Sequence, residues 1–172
     1  MRHAVVLLIG LMSNLVFAEG HEHGSPTNEQ VVKNAYSTFA AGDMEAWRDL
    51  HSDDLSFTIY GDLPQSGTHH GTDAVIANVF EVIPQYWPGF SLEHISIDSV
   101  DDKVYVLNRM TAEGLDTYAL HLFTLEGGKI KTFTAFDDTD SLRSAMTGAP
   151  QDRKSTRLNS SHSSVSRMPS SA

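Results

Sequence analysis

From Phe90 onward the apolar residues of this chain recur at every second position, and the period holds for about 50 residues. The runs SLEHISIDSV, KVYVLNRMTAE, DTYALHLFTL and KIKTFTAFDD read as four strands. The breaks between them, Asp101-Asp102, Gly114-Leu115 and Gly127-Gly128, are two-residue candidates for hairpin turns, Gly-Gly the best of them. A meander of this kind has a face to bury, so the rest of the chain must supply a cover.

The preceding residues have the periodicity for it. TNEQVVKNAYSTFAAGD predicts a helix opened by the capping box Thr27–Gln30, with Val32, Ala35, Tyr36, Phe39 and Ala40 at helical spacing and Gly42 just past its end. Asp43 caps a second, short helix over MEAWRDLHS. LSFTIYG alternates as a half-buried strand, and DLPQSGTHHG is a loop or a short irregular strand. TDAVIANVFEVI is a third helix, capped by Thr72 or Asp73 and stopped near Pro84. Helices followed by a meander define an α+β fold, a curved antiparallel sheet with three N-terminal helices on one face.

Two-residue turns set register, and register sets faces. Pairing Glu126 with Lys129, Glu113 with Asp116 and Val100 with Lys103 puts Ile95, Ile97, Val104, Val106, Asn108, Met110, Ala119, His121, Phe123, Ile130, Phe136 and Asp138 on one face. This is the more apolar face across its outer strands and is assigned to the core. The other face, with Arg109, Tyr118, Leu120, Ala135 and Asp137, goes to solvent or to a dimer. Within the core face Asn108, His121 and Thr134 form a polar row across three strands. Such a row either satisfies itself in a dry core or lines a cavity. A single bulge would reverse part of this assignment.

The candidate catalytic pair is His121 and Asp138, with Asn108 and Thr134 to orient them or a substrate. The two lie roughly 13 Å apart along the face in this register, enough to address two ends of one small molecule. Histidine suits proton transfer near neutral pH, and a carboxylate at an apolar mouth suits acid–base work. Asp138 has a second reading: it precedes TDSLRSAM, a short helix that it would cap, with Asp140 in the first turn. Both stay open. Met110, Phe123 and Phe136 on the same face, with Tyr36 and Trp87 from the helices and the following loop, complete an apolar lining for substrate.

The two ends of the 172-residue chain stand apart from this domain, residues 28–147. Residues 1–18, MRHAVVLLIGLMSNLVFA, have the basic start, apolar run and small −3 and −1 residues of an export signal. The run is too short to span a bilayer. Periplasmic or secreted localisation follows, with a flexible leader over residues 19–27. Residues 148–172 read as a disordered, Ser-rich tail, and from 152 the segment DRKSTRLNSSH resembles the in-frame translation of a sequencing-library adapter. Between the ends, 7 basic against 21 acidic residues leave a net charge of about −14. That argues against nucleic acid and against anionic membrane once the signal is removed. With no cysteine, disulfides and thiol catalysis are excluded. The nine histidines form no His-Glu-x-x-His or comparable cage, so no metal or other cofactor is expected in the domain. Signal cleavage would begin the chain at Glu19-Gly20-His21, a terminus that can hold Cu(II), with His23 as a further imidazole.

The order of helices and meander, with GDLPQSGTHHGTDAV before the third helix and HLFTLEGGKIKTFTAFDDT at the end, resembles the SnoaL-like branch of the nuclear-transport-factor-2-like superfamily over residues 28–147. The strand histidine and the Asp before Thr of that family match His121 and Asp138. The chain departs from the common pattern at Ala135, where relatives often carry Glu, and at Asp137, where they often carry an apolar residue. The resemblance implies a cone-shaped pocket, a homodimer through the sheet, and cofactor-free acid–base chemistry of the isomerase, cyclase, dehydratase or hydratase type. It equally admits a non-catalytic binding or dimerisation module of the same fold.

Overall fold

The computed structural model describes residues 25–148. The export signal, the copper-type N-terminus and the adapter-like tail lie outside those residues. The architecture is α+β, a six-stranded sheet with helices on its concave face. Helix α1 spans Asn28–Ala41; the Thr27 hydroxyl accepts from the Gln30 amide, and Gly42 closes the helix in the left-handed region at φ 70°. Helix α2, Met44–Asp49, is capped by Asp43, whose side chain accepts from the Ala46 amide. Strand β1 is His51–Ile59 and β2 is Gly67–His70. Helix α3 is Thr72–Val75 and widens into a π-helical stretch, Ile76–Phe80. The single turn α4, Ile83–Tyr86, carries Pro84 in its first turn, where a missing N–H costs nothing.

The meander follows as β3, Ser91–Val100, β4, Lys103–Ala112, β5, Leu115–Glu126, and β6, Lys129–Asp137. Helix α5, Thr139–Ala145, closes the described chain. Strand order is β2-β1-β6-β5-β4-β3, and every pair is antiparallel except β1–β6, which is parallel. The sheet is mostly antiparallel, as expected; the one parallel pair arises because β1 belongs to the helical half of the chain and joins the edge of the meander.

Register differs from expectation at three places, with unequal consequences. The β4–β5 turn is Glu113-Gly114, so Ala112 pairs with Leu115 and Asn108 with Ala119. That is a shift of two residues and leaves the faces unchanged. In β6, Glu126 pairs with Lys129 across Gly127-Gly128, but Thr124 pairs with Thr132, and the extra residue Lys131 makes a bulge. Every residue beyond it changes face. In β3 a bulge at Ile95 does the same, pairing His94 with Asn108. The inward face therefore carries Phe133, Ala135 and Asp137, while Thr134, Phe136 and Ile95 turn away.

Two apolar clusters result. The larger joins Val31, Val32, Ala35 and Tyr36 of α1 to Trp47, to Leu55, Phe57 and Ile59 of β1 and to the inner face of the meander. The smaller, under α5, holds Leu63, Trp87, Met110, Leu115, Ala119 and Leu142. The Trp87 indole N–H donates to the Leu142 carbonyl at 2.9 Å and ties the loop after α4 to α5.

Candidate active site

Between the clusters lies a cavity of about 90 Å³. Its wall is overwhelmingly apolar. Phe57 and Phe133, neighbours on the parallel strands, stack at 3.9 Å between ring centres, and Val79, Phe80 and Ile83 close the side formed by the π-helical stretch and α4. A π-helical turn in a helix that lines a cavity is a common local feature of functional sites.

Besides Tyr36 and Trp87, whose polar atoms are hydrogen-bonded to the protein, four polar side chains break this wall: His51, Gln65, His121 and Asp137. The His121 and Asp137 side chains are each 8% exposed, and His121 Nε2 lies 3.6 Å from Asp137 Oδ1. That is beyond hydrogen-bond length. Among the described residues two buried side-chain oxygens have no hydrogen-bond partner, Asp137 Oδ1 and Gln65 Oε1, and both residues line this cavity. Unpartnered buried oxygens are costly in a folded chain. Both oxygens can accept a hydrogen bond from a ligand group or a water in the cavity.

His121 is held from behind. Its Nδ1 lies 2.8 Å from the Tyr36 hydroxyl, and its ring stands edge-on to Phe133. Burial pushes the Tyr36 hydroxyl well above its ordinary range, the Asn108 amide opposes this, and the Asp137 carboxylate adds to it. Tyr36 is therefore a neutral donor at any physiological pH. His51 sits elsewhere on the wall, its ring tilted 32° against Trp47 at 3.8 Å between centres, with Nδ1–H donating to the Trp47 carbonyl at 2.6 Å. Burial lowers its pKa to about 4, partly offset by that carbonyl and aided by the positive charge of Lys129, so the ring is neutral near pH 7. Among the described residues no three His, Asp or Glu side chains cluster as a metal site would require.

The structure brings five of the sequence-predicted residues to the cavity: His121, Met110, Phe123, Tyr36 and Trp87. Asn108 is fully buried but one layer behind, against Tyr36. Thr134, Phe136 and Asp138 are corrections. Thr134 pairs with Leu122 on the outer face, and Phe136 lies there 48% exposed beside Tyr60. Asp138 caps α5. Its Oδ1 accepts from the Ser141 amide at 3.1 Å, and its Oδ2 from the Ser141 hydroxyl at 2.6 Å and the Thr117 hydroxyl at 2.8 Å. The Ser141 hydroxyl, the Ser141 amide and then Thr117 hold this carboxyl below its usual range. The bulge at Lys131 is the physical reason for all three. His51, Gln65 and Asp137 were missed. For Asp137 a signal existed: Ile130 and the pair Phe133, Ala135 fall in opposite phases of the alternation, with Lys131-Thr132 between. Gln65 sits in a Pro/Gly loop with no period to read.

A curved sheet under helices, with a polar pair inside an apolar cavity, defines a single-pocket α+β fold of the cone type. The SnoaL-like domain family matches residues 32–133, more than half of the chain, and the protein belongs to it. None of the curated proteins matches. Solved structures do. An NTF2-like protein from Burkholderia thailandensis shares 23% identity over 70% of this chain and 97% of its own, with a TM-score of 0.64. A proposed SnoaL-like polyketide cyclase from Jannaschia sp. CCS1 shares 19% over 72% and 93%, TM-score 0.61. TerC, crystallised with polyporic acid, shares 19% over 69% and 96%, TM-score 0.62. These likenesses establish the fold.

Proposed function

We propose that this protein catalyses proton transfer on a small, largely apolar organic molecule, an isomerisation or cyclisation carried out in the cavity without a cofactor. One observation carries the reading: Asp137 Oδ1, buried and without a partner, faces His121 Nε2 at 3.6 Å on a largely apolar wall. A substrate held there breaks a C–H bond by giving its proton to one member of the pair. Its electron pair moves onto an oxygen that the other member hydrogen-bonds; the proton then returns to a different carbon, or the enolate carbon attacks a second carbonyl whose oxygen, now an alkoxide, takes that proton back from the base. Apolar walls strengthen both interactions by excluding water. The names of the Jannaschia protein and of TerC, with its bound polyporic acid, agree with a small organic ligand of this kind.

The chain is proposed to be exported, on its N-terminal signal pattern, and to pair with a second copy through the outer sheet face. Tyr118, Leu120, Leu107 and Phe136 are exposed on that face, an apolar surface that a sheet-to-sheet dimer would cover.

Turnover of a panel of enones, epoxides and β-hydroxy ketones tests the chemistry. Asp137→Asn and His121→Ala are expected to lose it, and Asp138→Asn to keep it. Turnover surviving in both cavity variants refutes the site. Tight binding with no turnover by the wild type instead supports a non-catalytic binding module.

A further inference from the structure

A hydrogen-bonded file of four side chains runs from the protein surface to the cavity. His94 Nδ1 lies 2.7 Å from Asn108 Oδ1, Asn108 Nδ2 lies 3.3 Å from the Tyr36 hydroxyl, and that hydroxyl lies 2.8 Å from His121 Nδ1. The bulge at Ile95 makes the file, because it turns His94 onto the face of Asn108. The His94 ring also packs on Tyr36 at 4.2 Å.

The file has a direction, and one backbone atom sets it. An asparagine amide can be placed either way round unless its neighbours decide. Here Asn108 Nδ2 also lies 3.3 Å from the Val106 carbonyl oxygen, which can only accept. The NH₂ group must therefore stay on that side. Oδ1 faces His94, so His94 Nδ1 must carry a hydrogen, which is true of both its neutral Nδ1–H form and its imidazolium. On the other side Nδ2 donates to the Tyr36 oxygen. The single Tyr36 proton is thus left for His121 Nδ1. A neutral imidazole that accepts at Nδ1 carries its proton on Nε2. Nε2 is the nitrogen that faces Asp137.

We infer that Asn108 and Tyr36 are positioning residues that lock His121 in the Nε2–H form, with His94 closing the file at the surface, so that in the cavity His121 donates and Asp137 accepts. The assignment rests on the proposed function for its chemical meaning and narrows it. The substrate class is a carbonyl compound with an acidic neighbouring C–H. Its oxygen takes the hydrogen bond from Nε2–H, its C–H proton goes to Asp137 Oδ1, and the electron pair of that bond becomes the enolate. Reactions that need neutral His121 as the proton acceptor are excluded.

The test is a long-range ¹H–¹⁵N spectrum of histidine-labelled full chain, with no ligand added, at a pH where the ring is neutral. His121 is assigned by its loss in His121→Gln. The expected pattern is an unprotonated Nδ1 and a protonated Nε2; a protonated Nδ1 overturns the inference. Asn108→Asp, close in shape and accepting only once ionised, is expected at a pH where that carboxyl is ionised to draw the Tyr36 proton to itself and move the His121 proton to Nδ1. An unchanged pattern overturns the role of Asn108. Should that variant not fold, Tyr36→Phe removes the donor and is expected to shift the Nδ1 signal toward that of an unbonded nitrogen, and an unmoved signal overturns the lock. The spectrum reads the resting protein, so it separates from the activity reading. An Nε2–H ring in a protein that turns nothing over keeps the lock and sinks the enzyme, whereas turnover with an Nδ1–H ring does the reverse.

Discussion

Asp137 and Asp138 are neighbours with the same side chain at the end of the same strand, and the fold treats them oppositely. Asp137 turns into the cavity, where one oxygen meets no partner. Asp138 turns to the helix that follows and accepts three hydrogen bonds. Carboxylate chemistry does not separate them, nor does position in the chain to within one residue. What separates them is the parity of β6, reset by one extra residue at Lys131. A bulge near the start of β6 decides which acid faces the cavity and which caps the following helix.

The most drastic way to break this contrast is to delete Thr134. With the bulge at Lys131 kept, Ala135 would take the outward place opposite Leu122, Phe136 the inward place opposite His121, and Asp137 and Asp138 would exchange faces. The Phe136 ring would then have to fit where Ala135 is buried. We expect no cooperative unfolding transition by circular dichroism, and a native-like melt would show that the parity of β6 does not hold the fold.

The next largest effect is on chemistry. Asp137→Asn should lower turnover by about 10²- to 10⁴-fold, the range for loss of a positioned acid or base. The same change at Asp138 should lower it by far less. Equal losses in kcat/KM at the two positions would erase the contrast.

His51 supplies a third case, a group that is buried but partnered. Its pKa is lowered from 6.5 to about 4. The unfolded chain takes up this proton as the pH falls through about 6.5, and the folded chain only near 4. Stability from this group is therefore fully present above about pH 6.5 and is lost between there and pH 4, by about 3 kcal/mol at most. Urea unfolding of wild type and His51→Gln across that window checks it: the variant should show a flatter slope, and parallel slopes would place the acid sensitivity elsewhere.

How much of this was legible before the fold was known depends on the range of each signal. Thr27, Gly42 and Asp43 act within one helical turn, and all three cap as the local pattern predicts. Gly127-Gly128 is equally local, with φ of 58° and 78° at the two residues, and it delivers the expected pairing of Glu126 with Lys129. His121, Met110 and Phe123 follow from that pairing, because a shift of two residues at the β4–β5 turn preserves parity. The bulges at Ile95 and Lys131 carry no glycine or turn residue, only a change of phase. Extending a register through them misplaced Asp138, Thr134 and Phe136 and hid Asp137 and His94. The parallel pairing of β1 with β6 joins residues far apart in sequence and has no local signature at all.

The smallest effect expected belongs to the structural acid itself. Asp138→Ala removes a side-chain cap that three donors share, and losing a cap of this kind should lower Tm by about 4 °C near pH 7. The Ser141 and Thr117 hydrogen bonds depress the folded-state pKa, so the ionised cap stabilises the protein above the unfolded value. That contribution is lost as the pH falls through the depressed one. The gap in Tm between wild type and Asp138→Ala should therefore be widest near neutrality and narrow in acid. Asp138→Asn, which keeps an accepting oxygen, should fall between them. A gap that does not depend on pH would mean that Asp138 stabilises α5 by shape alone.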